Sequence, residues 1–500
     1  MSFGAAARTA PVYQLGTKCL LVSMGLHGLN RKSLCDRLKA QWAKLAPVPS
    51  LQGVYVVLQG GTESYVGSSD TANVFRQESY FHWAFGGLEP DWYGVIEVET
   101  LRSILFIPRT DDNTAIYSGV PAAPDEITVK YAVNETHYVD EMESFFKKFK
   151  PTLLLTLHGL NTDSDRYTQE AKFPGIEQFK VDNKILHPIM AECRVFKNPC
   201  ELDVIRYACR VSSAAHRHLM RCVKPGMHEF EAESLFSSYC YFHGGMRHMC
   251  YTCIAASGKN CAVLHYGHAG APNERVIQDG DLCLFDMGGE YYCYCSDITC
   301  TFPANGHFTD DQKLIYEAVY AASRAVLGAA RPGASWVDLH KLAEKQILTH
   351  LLEGGLLQGS VDEMMAAKLG AVFMPHGLGH LMGCDVHDVG GYNPGQPPRI
   401  EEPGLRNLRT ARKLEPNMVI TVEPGCYFID KLLDDALASE QQKHFLVASA
   451  ISRFRGFGGV RIEDNIVITE NGHELLTDVP RTVQEIEEWM AVPPEGQNRF

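Results

Sequence analysis

Four carboxylates and one imidazole in the second half of the chain, Asp286, Asp297, His380, Glu423 and Glu463, stand among apolar neighbours. Asp286 ends the run Leu-Cys-Leu-Phe-Asp, and Asp297, with ten residues between them, lies in a second apolar and aromatic run that ends at Phe302. Gly288-Gly289 separates the runs, so they read as adjacent strands joined by a glycine-containing turn. Burying an unpaired carboxylate costs on the order of several kcal/mol, and this hairpin holds no Lys or Arg to offset it. Glu423 follows Val419-Ile420-Thr421-Val422, and Glu463 follows Val460-Arg461-Ile462. An oxygen-rich donor set with a single histidine favours a hard or borderline cation, manganese first, with iron, cobalt or zinc also acceptable. Two divalent cations and a hydroxide bring four carboxylates near charge balance, whereas one cation does not. The chemistry is metal-assisted hydrolysis, in which a water held by two ions ionises at neutral pH and attacks a polarised carbonyl.

These residues need elements to bring them together. From Pro199 the pattern is helical as far as Val223, broken by Lys224-Pro225-Gly226, and a second helix follows with Phe230, Leu235 and Phe236 inward. The same device recurs: a helix over 311–329 stops at Arg331-Pro332-Gly333, and another runs from Ser335 to Leu351. Each helix pair precedes a β-rich stretch, the first carrying His265, Asp286 and Asp297, the second His380, His387, Glu423 and Glu463. The repetition points to a duplicated domain with its site between facing halves. Upstream, alternating patterns predict an α/β domain: a helix capped by Asn30 with Leu34 and Leu38 on one face, a strand over 53–58, paired strands over 93–98 and 101–108, a helix over 140–150 and a buried strand over 152–157. The aromatic segment 75–86 reads as a core layer. A Gly/Pro-rich surface loop over 390–404 leads to Arg409, and 482–490 predicts an amphipathic helix.

Composition narrows the class. Forty-six basic against 60 acidic residues give a formal charge of −14, which argues against a nucleic-acid surface. No stretch reaches the ~20 apolar residues of a membrane span, and no secretory leader is visible, so a cytoplasmic protein is expected. Its 16 cysteines then read as reduced thiols, with Cys293 and Cys295 packing on one strand face.

The five candidate ligands, with Gly-Leu-Gly-His at 377–380, Val-Glu-Pro-Gly at 422–425 and Arg-Ile-Glu-Asp at 461–464, resemble in order and context the pattern of the pita-bread metallopeptidases, which include methionine aminopeptidase, aminopeptidase P and the prolidases. Residues 75–86, 264–273, 286–290 and 455–463 resemble the vertebrate Xaa-Pro dipeptidase branch most closely, and the likeness covers nearly the whole chain. It implies an N-terminal α/β domain over 1–190, similar to that of aminopeptidase P, and a pita-bread catalytic domain over 191–500, usually in a homodimer. It implies two Mn2+ per subunit and cleavage of dipeptides ending in proline or hydroxyproline, an activity of proline recycling and collagen-fragment turnover. By position, Asp286, Asp297 and Glu463 hold one metal, and Asp297, His380, Glu423 and Glu463 the other. Glu423 is the implied proton shuttle, His265 and His387 line the substrate and steady its carbonyl, and Arg409 grips the terminal carboxylate. Arg461 is read as a substrate-side residue that also orients Glu463. Cys384 and Cys426, close to ligands in sequence, are expected to make activity oxidation-sensitive. The alternatives are an aminopeptidase P acting on longer peptides and a non-catalytic pita-bread binding module; replaced ligands would mark the latter, and here all five stand.

Overall fold

The computed structural model describes residues 11–45, 50–267 and 273–493. Two compact units divide it, Met1–Asp203 and Val204–Phe500.

The first unit is built on a six-stranded mixed sheet in the order Val181–Asp182, Leu153–Thr156, Val54–Gln59, Tyr93–Glu97, Ser103–Ile107, Glu135–Tyr138. Tyr55, Val57, Val95, Ile104, Phe106 and Leu154 bury one face against Met142, Phe145 and Phe146 of the helix Met142–Phe149. The aromatic segment forms the helix Ser79–Phe85, buried throughout. Its start is capped by Glu78, which accepts the Phe81 N–H, and its end by Gly86 at φ 72°. Asn30 does not cap a helix: the helix Gly25–Trp42 begins five residues earlier. The Asn30 amide is buried and donates to the Trp83 carbonyl at 2.9 Å, a partner from distant sequence that overrides its local capping preference.

In the second unit the repeated break is repeated in structure. Gly226 and Gly333 both take positive φ, 96° and 84°, which glycine alone adopts without strain. Gly226 N–H donates to Ile277 and Ile277 N–H to Met227, both at 2.8 Å; Gly333 N–H donates to Leu414 and Leu414 N–H to Ala334, again at 2.8 Å. Helices Pro199–Cys222 and Glu229–Gly244 precede one three-stranded antiparallel sheet, Ile254–Ser257, Leu282–Asp286, Thr299–Pro303, and helices Asp310–Ala329 and Trp336–Glu353 precede the other, Val419–Val422, Asp464–Ile468, His473–Leu475. Phe230 departs from expectation: it is 52% exposed while Phe236 is fully buried, because the packed stripe of the second helix runs through Glu229, Ala232, Phe236 and Cys240, and Phe230 lies about 100° round the helix from Glu229.

The predicted hairpin is correct in its pairing and wrong in its turn. Leu282–Asp286 pairs antiparallel with Thr299–Pro303, Asp286 opposite Thr299. Gly289–Glu290, however, leaves this sheet to pair with His248–Met249. The chain reverses at Tyr292 and Cys293, both at positive φ between bridged Tyr291 and Tyr294. Gly288 serves close approach instead, since a Cβ there would lie 1.8 Å from the Ser296 carbonyl oxygen. Two corrections follow: Asp297 stands just before its strand, not deep within it, and Cys293 lies in the turn, so it shares no strand face with Cys295.

Candidate active site

Each of the four candidate carboxylates sits at or beside a strand end, where side chains converge while the backbone stays paired. Asp286 ends Leu282–Asp286, Asp297 precedes Thr299–Pro303, Glu423 follows Val419–Val422, and Glu463 separates Gly459–Arg461 from Asp464–Ile468. His380 reaches them from a glycine-rich loop laced to the third of these strands. Its N–H donates to Thr421 Oγ1 at 3.0 Å, Thr421 N–H returns to the His380 carbonyl at 2.9 Å, and Glu423 N–H donates to Leu378 at 2.8 Å. Gly379 permits this approach, because a Cβ would meet the Thr421 carbonyl oxygen at 2.1 Å. Glu463 N–H donates to the Thr299 carbonyl at 3.2 Å, tying the two halves of the unit together at the site.

All five side chains meet. Donor atoms of Asp286, Asp297 and Glu463 lie within 4.8 Å of one another, as do those of His380, Glu423 and Glu463, and of Asp297, His380 and His387. His380 Nε2 stands 3.2 Å from Asp297 Oδ2 and 3.6 Å from Glu423 Oε1, while its Nδ1 is 3.0 Å from the Leu381 carbonyl oxygen. A carbonyl on Nδ1 holds the proton there and leaves Nε2 to face the carboxylates, the arrangement of a metal-binding histidine.

Electrostatics give the same answer. Burial, with like charge from Asp297, pushes the Asp286 carboxyl up to about 6 despite Arg461. Burial likewise pushes Glu423 up to about 7, despite His380, and drives Glu463 well above the carboxylate range beside three other acids. Asp297 alone is held below its ordinary value: burial opposes ionisation there, but the hydrogen bond and charge of His380 outweigh it. The Tyr251 hydroxyl is 2.5 Å from both Asp286 Oδ1 and Asp297 Oδ1. One hydroxyl proton cannot serve two carboxylates, so without a cation one of them must carry a proton of its own. The donor set thus fits divalent cations that would displace those protons.

A pH dependence follows. A carboxyl whose folded pKa is raised holds a proton that the unfolded chain releases, so the metal-free fold loses stability as pH rises through each raised value, near 6 for Asp286 and 7 for Glu423. Cation binding removes that loss. The gain in melting temperature on adding Mn2+ should therefore widen from pH 5.5 to pH 7.5, with release of about one to two protons per chain in calorimetry across buffers of different ionisation enthalpy. A gain independent of pH would contradict it.

Around this cluster, His387 stands edge-on to His380 with ring centroids 4.4 Å apart, and burial depresses it to about 2. His265 is exposed, yet close enough for its charge to lower His376 and His387. Arg409 is partly buried, and its charge reaches His380 and His387. Arg461 needs correcting: its guanidinium donates to Asp286 Oδ2 at 2.7 Å, the Tyr427 hydroxyl at 2.8 Å and Thr299 Oγ1 at 3.1 Å. It supports Asp286, and those three bonds use its fork in a buried position; the group that donates to Glu463 is Thr299, at 2.7 Å. Cys426 is fully buried and burial pushes its thiol up, and Cys384 is 2% exposed. Neither thiol is accessible, which removes the basis for oxidation there.

Three residues escaped the sequence reading. Tyr251 carries no motif. His376 lies in the same glycine-rich segment as His380; its Nε2 meets the Tyr427 hydroxyl at 3.0 Å, Nδ1 stands 3.9 Å from Glu423, and burial lowers it to about 3. Tyr427 links His376 to Arg461.

Comparison with known proteins gives this geometry its relatives. A family model described as "Metallopeptidase family M24" matches residues 203–470, and one described as "Aminopeptidase P, N-terminal domain" matches residues 27–153. The Xaa-Pro dipeptidase of Homo sapiens is 58% identical over 487 residues, 97% of each chain, and that of Mus musculus is 56% identical over 498 residues, 98% of this chain and all of the other. Among solved structures, Pseudomonas aeruginosa aminopeptidase PepP superposes with TM-score 0.72 at 31% identity, covering 92% of this chain and 98% of the other. Zinc-substituted Escherichia coli aminopeptidase P in complex with product gives TM-score 0.74 at 29% identity, over 94% and 98%. The expected two-part fold, an aminopeptidase P-type N-terminal domain followed by a pita-bread domain, is the one these matches describe. On both the model match and the identity to its relatives, the chain belongs to metallopeptidase family M24.

Proposed function

We propose that this metallopeptidase is a dipeptidase that hydrolyses Xaa-Pro and Xaa-hydroxyproline dipeptides with two manganese ions held by Asp286, Asp297, His380, Glu423 and Glu463. The observation that carries the hydrolytic part is the convergence of those five side chains around two overlapping donor groups that share Glu463. Identity favours the dipeptidase over the aminopeptidase reading: 58% to the human Xaa-Pro dipeptidase, against 35% over 82% of this chain to a probable Xaa-Pro aminopeptidase of Pyrenophora tritici-repentis.

When bound, the metal pair polarises the scissile carbonyl and lowers the pKa of the attacking water. Glu423 would accept a proton from that water and deliver it to the leaving imino nitrogen. His387, neutral at working pH, and His265 donate toward the carbonyl oxygen as it gains charge. Arg409 closes on the free carboxylate of the C-terminal proline, and that contact limits the substrate to two residues. We place the enzyme in the cytoplasm as a homodimer acting on the last dipeptides of proline-rich and collagen breakdown; no helix among the described residues is long and apolar enough to cross a membrane.

The test is hydrolysis of Gly-Pro beside a tripeptide with proline second, before and after chelation and with Mn2+ restored, with elemental analysis alongside. Faster cleavage of the tripeptide would favour the aminopeptidase reading, and no cleavage of either would defeat both. Arg409→Ala should raise KM for Gly-Pro by about tenfold or more, the ~1.5–3 kcal/mol of a charged hydrogen bond, while bound metal stays unchanged. Unchanged Gly-Pro kinetics would remove Arg409 from substrate binding.

A further inference from the structure

Arg409, whose charge reaches His380 and His387, stands on a stretch of backbone held by the loop before it. That loop turns at Asn393-Pro394-Gly395-Gln396, where the Gln396 N–H donates to the Asn393 carbonyl at 3.0 Å and Gly395 takes φ 90°. Proline followed by a glycine at positive φ is the pattern of a type II turn, and Pro397-Pro398 stiffens the return. The return brings the Arg399 guanidinium over the Tyr392 ring, 4.4 Å from its centroid. Both side chains then meet one acceptor: the carbonyl of buried Leu408 accepts from the Tyr392 hydroxyl at 2.7 Å and from Arg399 Nη1 at 2.6 Å. The same nitrogen also donates to the Arg406 carbonyl at 3.1 Å. The Leu408 carbonyl shares its peptide plane with the Arg409 nitrogen, so fixing it fixes the plane from which Arg409 departs. The following plane is held as well. A Cβ on Gly391 would lie 2.0 Å from the Arg409 carbonyl oxygen, and Thr410 Oγ1 donates to the Gly391 carbonyl at 3.2 Å. One side-chain donor satisfies a loop carbonyl; two, one of them a guanidinium, fix its direction.

We propose that Tyr392 and Arg399 are positioning residues that aim Arg409 at the terminal carboxylate of the dipeptide, and so set the preference for a free C-terminal proline. This role rests on Arg409 being the carboxylate ligand proposed above. A planar guanidinium grips a carboxylate through two parallel bonds only when its fork is aligned. Productive contact of this kind tolerates about 0.5 Å and 10–20° of error. Two donors on the Leu408 carbonyl hold the plane before Arg409 within such limits. Loss of either lets that plane rock, and the error grows along a long side chain to its guanidinium. Tyr392 lies five residues beyond His387, so the same loop joins both groups proposed to meet the substrate.

The metal-loaded chain, Tyr392→Phe, Arg399→Met and Arg409→Ala are compared on Gly-Pro and on glycyl-prolinamide, which has the same scissile bond without the terminal charge. The amide is read as a substrate or, where it is not cleaved, as a competitive inhibitor of Gly-Pro hydrolysis. Tyr392→Phe removes only the hydroxyl and keeps the ring under Arg399. KM for Gly-Pro should rise about threefold in Tyr392→Phe and about tenfold in Arg399→Met, with kcat within about twofold of the unaltered chain. Affinity for the amide should not move, so the preference for the free acid falls by the same factors, and bound metal stays unchanged. Adding Tyr392→Phe to Arg409→Ala should cost nothing further, because no guanidinium is left to aim. Equal weakening toward both substrates, or a Tyr392→Phe effect as large without Arg409 as with it, overturns the inference. A preference lost in Arg409→Ala but kept in Tyr392→Phe and Arg399→Met overturns the positioning role alone, while a preference kept in Arg409→Ala overturns the carboxylate role and this one with it.

Discussion

Asp297→Asn should abolish peptidase activity while leaving the fold in place. Asp297 presents one oxygen to each side of the cluster: Oδ1 meets the Tyr251 hydroxyl beside Asp286, and Oδ2 faces His380 Nε2 at 3.2 Å. It belongs to two of the three donor groups, one with Asp286 and Glu463, the other with His380 and His387. An asparagine of the same shape turns one acceptor into a donor and removes the charge that faces both groups. We expect activity on Gly-Pro to fall by on the order of 10³-fold or more, the upper range for deleting one element of a preorganised electrostatic site. If the proposed two-metal site is correct and Asp297 is its shared ligand, bound metal should drop from about two ions to at most one per chain. Circular dichroism should not change. Retention of two ions with activity within tenfold of the unaltered chain would show that Asp297 does not bridge.

Much of this site was legible in the sequence because buried acids are costly. Asp286, Asp297, Glu423 and Glu463 each stand in apolar strand contexts, where only a compensating group explains a carboxylate. The duplicated Pro-Gly break between helices was legible for a related reason: a glycine at positive φ just before a helix is a backbone requirement, and it recurs with matching hydrogen bonds at Gly226 and Gly333. What the sequence concealed was partnership across long separations. Arg461 lies two positions from Glu463, and adjacency in the chain suggested a contact between them. Residues two apart on a strand share a face, yet the guanidinium reaches across to Asp286, 175 residues away. Tyr251 touches residues 35 and 46 positions distant with no motif of its own. The hairpin turn was misplaced because Gly288 was read for its conformational freedom, while its lack of a side chain is what the Ser296 carbonyl requires. Asn30 shows the reverse error, a local capping preference overridden by the Trp83 carbonyl.

The role of Arg461 leads to the second large effect. Its guanidinium is 4% exposed and bonds Asp286, Tyr427 and Thr299, so it is a fixed positive charge in a cluster of four acids. Replacing it by methionine, similar in length and apolar, leaves the Asp286 carboxylate buried without its ion-pair partner. Breaking such a pair from one side costs about 3–5 kcal/mol, far more than an exposed pair would. In chelator-treated protein, Arg461→Met should therefore lower the urea midpoint of the catalytic unit by that amount of stability at pH 7.5. The loss should shrink toward pH 5, because Asp286, freed of the arginine that lowers its pKa, takes up a proton more readily and no longer sits buried as a charge. Adding Asp286→Asn to Arg461→Met should restore part of the stability, since the stranded charge disappears. It should not restore activity, since a ligand is lost. If the double variant were instead less stable than Arg461→Met by the full cost of Asp286→Asn alone, the two residues would be acting independently, and the arginine would matter for packing and not for the charge it holds beside the metals.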